Sequence, residues 1–269
     1  MTKRRLDAVV AERFGLSRAR AQALILAGRV KLGGEPHRKA GEFVPPDAVL
    51  VVEDDARYVG RGGAKLERAL DEFDWSPDGL RCLDVGASTG GFTDCLLQRG
   101  AVSVTAVDVG YGQIAWSLRN DPRVRLFERC NFRHATAQEL GGPFGFATAD
   151  VSFISLTAIA PALTAMLEPG ARCVVLVKPQ FEAGRGNVSR GGVVRDQQTQ
   201  AQAIERVAAS FARAGLSPQK LTFSPLLGPA GNIEFLLGAC RADVGARPLN
   251  ALPFDIAGVV EKAHETLLR

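Results

Sequence analysis

The residues with the clearest chemical potential follow short apolar stretches, where strands are predicted to end. Asp84 and the glycine-rich run Gly86–Gly91 close the stretch Leu80–Val85, and Asp108 closes the stretch Val102–Val107. A glycine-rich turn lets a ligand approach the backbone, and an acid at the end of the second strand is typical of a residue that holds an adenosine ribose. The spacing is not Gly-x-Gly-x-x-Gly. It therefore favours an adenosine cofactor without a diphosphate, such as S-adenosylmethionine (SAM).

Two more polar residues stand at predicted strand ends. Asp150 ends the stretch Gly145–Asp150, and Lys178 follows the stretch Arg172–Val177 and precedes Pro179. Ligands of doubly wound sheets bind beyond the carboxyl ends of the strands, so both side chains are expected beside the glycine-rich turn. Pro179 stops the hydrogen-bond ladder and leaves the lysine at the rim. This position favours a functional lysine over a surface lysine paired with an acid.

The elements that carry these residues alternate between strands and helices. This order predicts an α/β fold with a Rossmann-like, doubly wound and mostly parallel sheet. The predicted strands are Leu80–Val85, Val102–Asp108, Arg123–Phe127, Gly145–Asp150, Arg172–Val177, Lys220–Ser224 and Ile233–Ala239. The predicted helices are Ala64–Phe73, Gly91–Arg99, Gln113–Arg119, Ser155–Leu167, Gln197–Ala214 and Ile256–Leu268.

A small α+β domain is predicted at the N-terminus. Apolar spacing predicts a helix over Leu6–Phe14, and Ser17 is placed to cap a second helix over Arg18–Ala27. Short strands are expected at Val30–Leu32 and Val49–Val52. The expected boundaries are 1–55 for this domain, 56–63 for a linker and 64–269 for the larger α/β domain.

The N-terminal domain is strongly basic. Residues 1–39 hold ten basic and three acidic residues, a net +7, which leaves −3 for residues 40–269 of a chain with a net charge of +4. Such a concentration of positive charge predicts a polyanionic partner. The run Ser17–Gly34 resembles the alpha-L RNA-binding motif of a ribosomal small-subunit protein, pseudouridine synthases and tyrosyl-tRNA synthetases. We therefore expect RNA binding, with a solvated basic helix as the alternative.

A second basic segment, Gly184–Gly192, follows Lys178. It is expected either to close over RNA or to be a mobile surface loop. The candidate RNA-binding residues of both regions are Arg4, Arg5, Arg18, Arg20, Lys31, Arg185 and Arg190.

Five motifs distributed along the chain have a distinctive composition: Gly86–Thr93, Asp108–Gln113, Asp150–Ser155, Lys178–Glu182 and Gly231–Glu234. They resemble motifs of the TlyA family, whose members were first described as haemolysins and act as ribosomal RNA ribose 2′-O-methyltransferases. The resemblance extends over almost the whole chain. It implies a SAM-dependent, FtsJ-like methyltransferase domain over 64–269, SAM as cofactor and ribosomal RNA or ribosomal subunits as partner. The implied target is a cytidine ribose of 16S rRNA, 23S rRNA or both.

The resemblance also implies a tetrad like that of FtsJ-type ribose methyltransferases, at Lys65, Asp150, Lys178 and Glu234. A ribose 2′-hydroxyl is a poor nucleophile until its proton is lost or shared, and a positioned base contributes about 10²–10⁴-fold. Lys178 is the candidate base, and Lys65 would add positive charge and hold the 2′-oxygen. Asp150 would orient Lys178, and Glu234 would position Lys65 or the ribose. Exchanging the roles of the two acids is equally consistent with the sequence.

The cofactor and the target base have their own candidate contacts. Asn131, after the third strand, is a candidate adenine contact, and Phe153, Phe181 and Phe235 would either stack on a flipped base or belong to the core. Trp75 and Trp116 are expected in the core. The candidate cofactor-binding residues are Asp84, Gly86, Ala87, Ser88, Thr89, Gly90, Gly91, Asp108, Val109 and Asn131.

Other features argue against rival function classes. Five scattered cysteines without a Cys-x-x-Cys pair indicate a reduced, cytoplasmic protein, and three widely separated histidines suggest no metal site. A secretory signal and an apolar run of about 18 residues are both missing, which disfavours a pore-forming protein. Base methylation is disfavoured because the sequence contains neither a Pro-Cys dipeptide nor an Asn/Asp-Pro-Pro-Tyr motif. A non-catalytic RNA-binding factor and a dinucleotide-dependent oxidoreductase are weaker alternatives.

Overall fold

A computed structural model describes residues 3–14, 16–37, 39–52, 57–184, 191–242 and 252–268. The chain divides into two compact units, Met1–Ala56 and Arg57–Arg269. In the part of the chain that the structure describes, no helix is both long enough and apolar enough to cross a membrane.

The first unit packs two helices on short antiparallel strands. Ser17 caps the second helix, as predicted, because its hydroxyl accepts a hydrogen bond from the backbone N–H of Arg20 over 3.2 Å. The helices are α1 (Leu6–Arg13) and α2 (Arg18–Leu26), and the strands are β1 (Arg4–Arg5), β2 (Val30–Leu32), β3 (Glu35–His37), β4 (Phe43–Val44) and β5 (Leu50–Val52). β1 pairs with β4, and β2 lies between β3 and β5. The core side chains are Leu6, Val9, Val10, Ala21, Leu24, Ile25, Val30 and Val44.

The second unit contains a seven-stranded sheet. Its strands are β6 (Arg81–Val85), β7 (Ser103–Val107), β8 (Val124–Phe127), β9 (Phe144–Ala149), β10 (Leu167–Val177), β11 (Leu216–Phe223) and β12 (Phe235–Arg241). Their order is β11-β12-β10-β9-β6-β7-β8, with β10 through β8 parallel and the pairings of β12 antiparallel. The predicted α/β fold is confirmed.

Helices cover both faces of this sheet. The α-helices are α3 (Gly62–Phe73), α4 (Gly91–Gln98), α5 (Trp116–Arg119), α6 (Ala137–Leu140), α7 (Ala160–Met166), α8 (Pro179–Glu182), α9 (Gln197–Arg213) and α10 (Ile256–Leu267). Two 3₁₀ helices span Phe132–His134 and Leu156–Ala158. In β10, Val175 and Val177 belong to one core while Val174 and Leu176 belong to the other, as expected when side chains alternate across a doubly wound sheet.

Two expectations need correction at the level of single elements. The helix predicted over Ser155–Leu167 is a 3₁₀ turn followed by α7, which starts near Pro161, a residue that favours the first turn of a helix. Trp75 is buried as predicted, whereas Trp116 is 79% exposed at the start of α5, so its assignment to the core is wrong.

The stretch expected to be a linker, residues 56–63, is described from Arg57 onward and packs on the second unit. Tyr58 is buried in the same core as Leu66 of α3. The backbone N–H of Val59 donates to Asp94 Oδ2 over 2.8 Å. These contacts fix the start of α3 against α4.

Candidate active site

The sheet register brings the predicted site residues to one edge. Val85 pairs with both Val107 and Ala149, so Gly86, Asp108 and Asp150 follow at the same level. On the other side of β9, Val177 pairs with Phe235 of the antiparallel β12, so Lys178 and Glu234 leave their strands at this edge too. Residues separated by up to 148 positions in the sequence therefore converge on one rim.

The glycine-rich turn is built on close backbone contacts. Gly86 has φ +82°, and a Cβ on it would lie 2.3 Å from the carbonyl oxygen of Asp150. Gly90 has φ +95°, and a Cβ there would meet a methyl carbon of Leu118 at 2.2 Å. Both positions therefore require glycine on steric and conformational grounds. The turn passes directly against the backbone that carries Asp150.

Asp108 organises the loop on the other side of the turn. Its two carboxylate oxygens accept hydrogen bonds from the backbone N–H groups of Ser88 (2.7 Å) and Gly110 (2.6 Å). The carboxylate thereby ties the end of β7 to the glycine-rich turn. It also lines a cavity of about 540 Å³. The cavity is lined by Val85, Gly86, Ser88, Val107, Asp108, Val109, Gly110, Gln113, Cys130, Asn131, Phe132, Arg133, Asp150, Val151, Ser152, Phe153, Ile154 and Ile159.

Half of the candidate cofactor residues line this cavity: Gly86, Ser88, Asp108, Val109 and Asn131. The others support the turn: Asp84, Ala87, Thr89, Gly90 and Gly91. A Cβ on Gly91 would lie 2.9 Å from the backbone nitrogen of Gly63, so the turn also packs against the start of α3. Gln113 lines the cavity and accepts a hydrogen bond from the hydroxyl of Ser88 over 3.3 Å. Gln113 appears in the sequence motifs but was not selected as a cofactor contact.

Asp84 has a supporting position under the turn, in contrast to the contact expected from the sequence. It is buried, and its carboxylate accepts hydrogen bonds from the hydroxyls of Thr93 (2.6 Å) and Thr148 (2.9 Å). Burial raises the pKa of Asp84 to about 6, although the threonine hydrogen bonds act in the opposite direction and the charge of Asp150 adds to the rise. Asp84 thus joins β6, β9 and α4 beneath the cavity.

The first ion pair at the rim lies at the mouth of the cavity. Lys178 Nζ is 2.6 Å from Asp150 Oδ1 and donates a hydrogen bond to Ser152 Oγ over 2.8 Å. Asp150 and Ser152 both line the cavity. Lys178 precedes α8, which begins at Pro179. Ser152 was not identified from the sequence as a partner of the lysine, although it belongs to the Asp150–Ser155 motif.

The second ion pair is more deeply buried than the first. Lys65 Nζ donates to Glu234 Oε2 over 2.5 Å, and both residues are buried. Lys65 lies on α3, whose buried face includes Leu66 and Leu70, and α3 packs against β12, which begins directly after Glu234. The four residues of the expected tetrad therefore form two lysine–carboxylate pairs at one edge of the sheet.

An exposed aromatic side chain stands beside the first pair. Phe153 has φ +62°, and its side chain is 92% exposed. Its ring centroid lies 5.2 Å from that of Phe181, whose ring is 5.9 Å from Lys178 Nζ. Phe235, by contrast, is buried in the core. A bulky residue in the left-handed region is unusual and is typical of functional sites.

In the first unit, a buried carboxylate holds two of the candidate RNA-binding residues. Asp7 accepts hydrogen bonds from Arg5 Nε (3.1 Å) and Nη2 (2.8 Å), from Arg18 Nη2 (3.4 Å) and from Gln22 Nε2 (2.7 Å). The guanidinium of Arg5 holds the pKa of Asp7 far below its usual range, against the effect of burial. The Arg5 and Arg18 side chains themselves remain 41% and 57% exposed.

The other candidates for RNA contact differ in their surroundings. Arg4 forms an exposed ion pair with Glu12 at 2.5 Å, whereas Arg20 and Lys31 each have partners of their own. Arg185 and Arg190 lie outside the described residues. Across the described ranges, no group of three or more His, Cys, Asp or Glu side chains is arranged to hold a metal ion.

The fold and this site together define a class. A doubly wound sheet with a glycine-rich turn after β6, an acid after β7 and a cavity at the carboxyl edge is the architecture of methyltransferases that use an adenosine cofactor. The glycine-rich turn at Gly86 and the carboxylate of Asp108, which both line the cavity, fit such a cofactor.

Comparison with known proteins identifies the family. The FtsJ-like methyltransferase family matches residues 58–241, and the S4 domain matches residues 4–50. The 16S/23S rRNA (cytidine-2′-O)-methyltransferase TlyA of Mycobacterium tuberculosis is 48% identical over 237 residues, which cover 87% of this chain and 88% of that protein. Hemolysin A of Brachyspira hyodysenteriae is 42% identical over 235 residues, with 86% and 98% covered.

A solved structure gives the same result. A protein of Streptococcus thermophilus, described as a hemolysin candidate, superposes with a TM-score of 0.78 at 43% identity and covers 99% of this chain and 97% of that one. The chain therefore belongs to the FtsJ-like methyltransferase family, in the group that carries an N-terminal S4 domain and includes the TlyA proteins. The resemblance inferred from the five sequence motifs is confirmed.

Proposed function

We propose that this chain is a SAM-dependent methyltransferase that modifies the 2′-hydroxyl of a cytidine ribose in 16S ribosomal RNA, 23S ribosomal RNA or both. Its working compartment is then the cytoplasm, where ribosomal subunits are assembled. The family and the names of its TlyA relatives support the reaction and the RNA substrate. The observation that carries the proposal is the contact between the cofactor cavity and the Lys178–Asp150 pair.

The cavity wall explains why these two parts belong to one site. Gly86 of the turn lies against the carbonyl of Asp150, and the side chain of Asp150 reaches both the cavity and Lys178. A methyl donor held against the glycine turn therefore lies next to the lysine. SAM, when bound, supplies a methyl group on a positively charged sulfur that accepts in-line attack by an oxygen.

The residues of the chain then have separate tasks in the transfer. With SAM bound, the methyl group would pass from the sulfur to the ribose 2′-oxygen, and the proton of that hydroxyl would pass to the Nζ of Lys178. Asp150 orients that amine and stabilises the ammonium that forms, as the acid does in a Ser-His-Asp triad. Lys65, fixed by Glu234, holds the 2′-oxygen. Alignment of the three reacting atoms contributes the larger share of the acceleration.

Phe153 is proposed to hold the target nucleotide. Stacking of a base on an aromatic ring stabilises single-stranded RNA by about 1–3 kcal/mol per base. The exposed ring of Phe153, supported by Phe181, lies beside Lys178 and lines the cavity, where a flipped nucleotide presents its ribose.

The S4 unit is proposed to deliver the RNA. The paired guanidinium groups of Arg5 and Arg18 suit phosphate oxygens, which arginine binds with two parallel hydrogen bonds. Arg4, Arg20 and Lys31 of the same unit, and Arg185 and Arg190 of the methyltransferase unit, are proposed as further phosphate contacts. Ribosomal RNA or a ribosomal subunit is the proposed partner.

The experiment that tests the function is transfer of a labelled methyl group from SAM to ribosomal subunits prepared without native modification. Wild type and Lys178→Ala are compared on small and large subunits. We expect label in RNA that resists alkaline cleavage at one position, because a methylated 2′-oxygen cannot attack the neighbouring phosphate. The variant should transfer about 10²–10⁴-fold more slowly.

SAM binding, measured by calorimetry, serves as the control for this experiment. Lys178→Ala should bind SAM as wild type does, because the lysine contacts the rim acid and not the glycine turn. Label that remains sensitive to alkali would indicate base methylation and refute the ribose assignment. Failure of the wild type to bind SAM would refute the proposal as a whole.

A further inference from the structure

Another buried carboxylate, that of Glu182, lies next to the rim, and the proposed reaction does not use it. Glu182 is 4% exposed and ends α8, the short helix that follows Lys178. Its Oε2 accepts a hydrogen bond from the hydroxyl of Ser155 over 2.5 Å, and its Oε1 accepts one from the backbone N–H of Leu156 over 2.8 Å. Each oxygen thus binds the loop that follows β9.

This loop carries the groups that surround the reacting lysine. Residues 150–156 contact residues 178–182 through the Lys178–Asp150 ion pair, the hydrogen bond from Lys178 to Ser152 and the tilted contact between the rings of Phe153 and Phe181. Those three contacts are made by side chains at the proposed reaction centre. The contacts of Glu182 differ from these three. One of them is to the backbone, and both are to the last two residues of the loop, Ser155 and Leu156.

The surroundings of Glu182 argue that the contact is built into the site. Burial raises the pKa of Glu182, while the hydrogen bonds from Ser155 and Leu156 act against this rise. A buried carboxylate is retained only where its oxygens are well bonded. Arg206 of α9 also donates a hydrogen bond to the backbone carbonyl of Glu182, which anchors the end of α8 to the body of the unit.

We propose that Glu182 is a positioning residue of the methyl-transfer site. It fastens the loop 150–156 to the segment that carries Lys178, so that Asp150, Ser152 and Phe153 keep their places around the lysine amine. This inference rests on the proposed function. Glu182 touches neither the cavity nor the lysine amine, so its effect on the reaction passes through the loop.

The test compares Glu182→Ala and Glu182→Gln with wild type in methyl transfer to ribosomal subunits. Glu182→Ala removes both acceptors and releases the loop. We expect kcat to fall about 10²-fold, the loss typical of a misplacement of about 1 Å, while the Kd for SAM stays at the wild-type value. In Glu182→Gln, the amide oxygen can accept from Leu156 and the amide NH₂ can donate to Ser155 Oγ. This variant should therefore keep most of the activity.

Glu139→Ala is the matched control. Glu139 accepts hydrogen bonds from the backbone N–H (2.8 Å) and hydroxyl (2.9 Å) of Thr136 at the start of α6, the same two kinds of donor that Glu182 binds. It lies outside the cavity lining and the rim. Loss of this cap should lower the thermal stability and leave kcat unchanged.

Ser155→Ala decides the matter if Glu182→Ala does not fold, because it removes one donor and leaves the buried acid bonded to Leu156. A lower kcat at an unchanged Kd for SAM supports the inference, and a wild-type kcat in a folded Ser155→Ala or Glu182→Ala overturns it. Equal losses in Glu182→Gln and Glu182→Ala also overturn it, because the charge would then matter more than the position. Wild type that binds SAM but transfers no methyl group overturns the proposed function and, with it, this inference.

Discussion

Two lysine–carboxylate pairs stand at the same edge of the sheet, and their surroundings differ. In the Lys65–Glu234 pair, the side chains are 8% and 1% exposed, and the lysine comes from α3 on the face of the sheet. In the Lys178–Asp150 pair, the corresponding values are 10% and 24%, and the acid opens onto the cofactor cavity. The Lys65–Glu234 pair is therefore closed, and the Lys178–Asp150 pair is open to the cavity.

This difference indicates that the two ion pairs have different roles in the site. A buried ion pair contributes little to stability in itself, but loss of one partner leaves an uncompensated buried charge. The closed pair is thus suited to hold α3 and one cation in place. The open pair can exchange a proton with a substrate at the cavity, because its acid already faces that space. The following variants separate the two roles.

The largest effect is expected for Lys178→Arg. Arginine keeps the positive charge but does not give up its proton, so it cannot act as a base. Methyl transfer should fall about 10²–10⁴-fold. Lys65→Arg is the control, because a residue that holds the 2′-oxygen by charge tolerates a guanidinium better. Equal losses in the two variants, measured as kcat on ribosomal subunits, would remove the distinction between the pairs.

A smaller effect, on stability, is expected for Glu234→Gln. It leaves Lys65 buried without a counter-charge and should lower the free energy of unfolding by about 3–5 kcal/mol. Asp150→Asn should cost clearly less, because water in the cavity reaches the open pair. Urea unfolding of both variants measures the two values. A larger loss of stability in Asp150→Asn than in Glu234→Gln would contradict the interpretation that the Lys65–Glu234 pair is the closed one.

Asp84 adds a buried acid whose carboxylate is bound by hydroxyl groups instead of a lysine. Its pKa, about 6 in the folded chain, lies above the value of about 3.9 for an unfolded aspartate. The folded protein therefore binds this proton more tightly, and the stability linked to it is present below pH 4 and is lost as the pH rises to about 6. The loss is about 3 kcal/mol for a shift of this size.

Asp84→Asn should remove this dependence. Urea unfolding of wild type and variant between pH 4 and 7 checks this prediction. The free energy of unfolding of the variant, relative to that of wild type, should increase as the pH rises. Parallel curves for the two proteins would mean that Asp84 titrates normally in the folded chain.

The smallest effect is expected for Gly86→Ala, which probes how the turn supports the open pair. A Cβ at Gly86 meets the backbone of Asp150, so we expect weaker SAM binding and misplacement of Asp150, equivalent to about 1–3 kcal/mol. Gly112→Ala is matched to it, with φ +71° and open space around the position of the Cβ. The Kd for SAM of the two variants is measured by calorimetry and compared. Similar losses in both would trace the effect to backbone strain instead of the contact with Asp150.

Much of the fold follows from local patterns. The apolar runs before Asp108, Asp150 and Lys178 each form a parallel strand, because a buried strand needs only a short apolar segment bounded by turn residues. The strands β1 and β4 of the first unit escaped prediction since two residues are too few to show a period. Trp116 was assigned to the core on residue type alone, and only its packing could correct that.

The candidate site also contains some features that local sequence patterns predict and others that they do not. The glycine-rich turn and Asp108 are visible in the spacing of one βαβ unit. The pairing of Lys65 with Glu234, 169 positions apart, has no local signature and was available only through the resemblance to a family. Glu182 was part of a recognised motif, but its contacts with Ser155 and Leu156 depend on two loops meeting at the sheet edge.

The amino-acid sequence by itself determined the order of strands and helices, the basic N-terminal domain and the polar residues that end each parallel strand. These are local properties, set by apolar periodicity, glycine conformation and charge. The tertiary structure decided which lysine pairs with which acid, which pair opens to the cavity, and that Asp84 lies beneath the turn. Those outcomes depend on register and burial, which arise only when distant segments pack together.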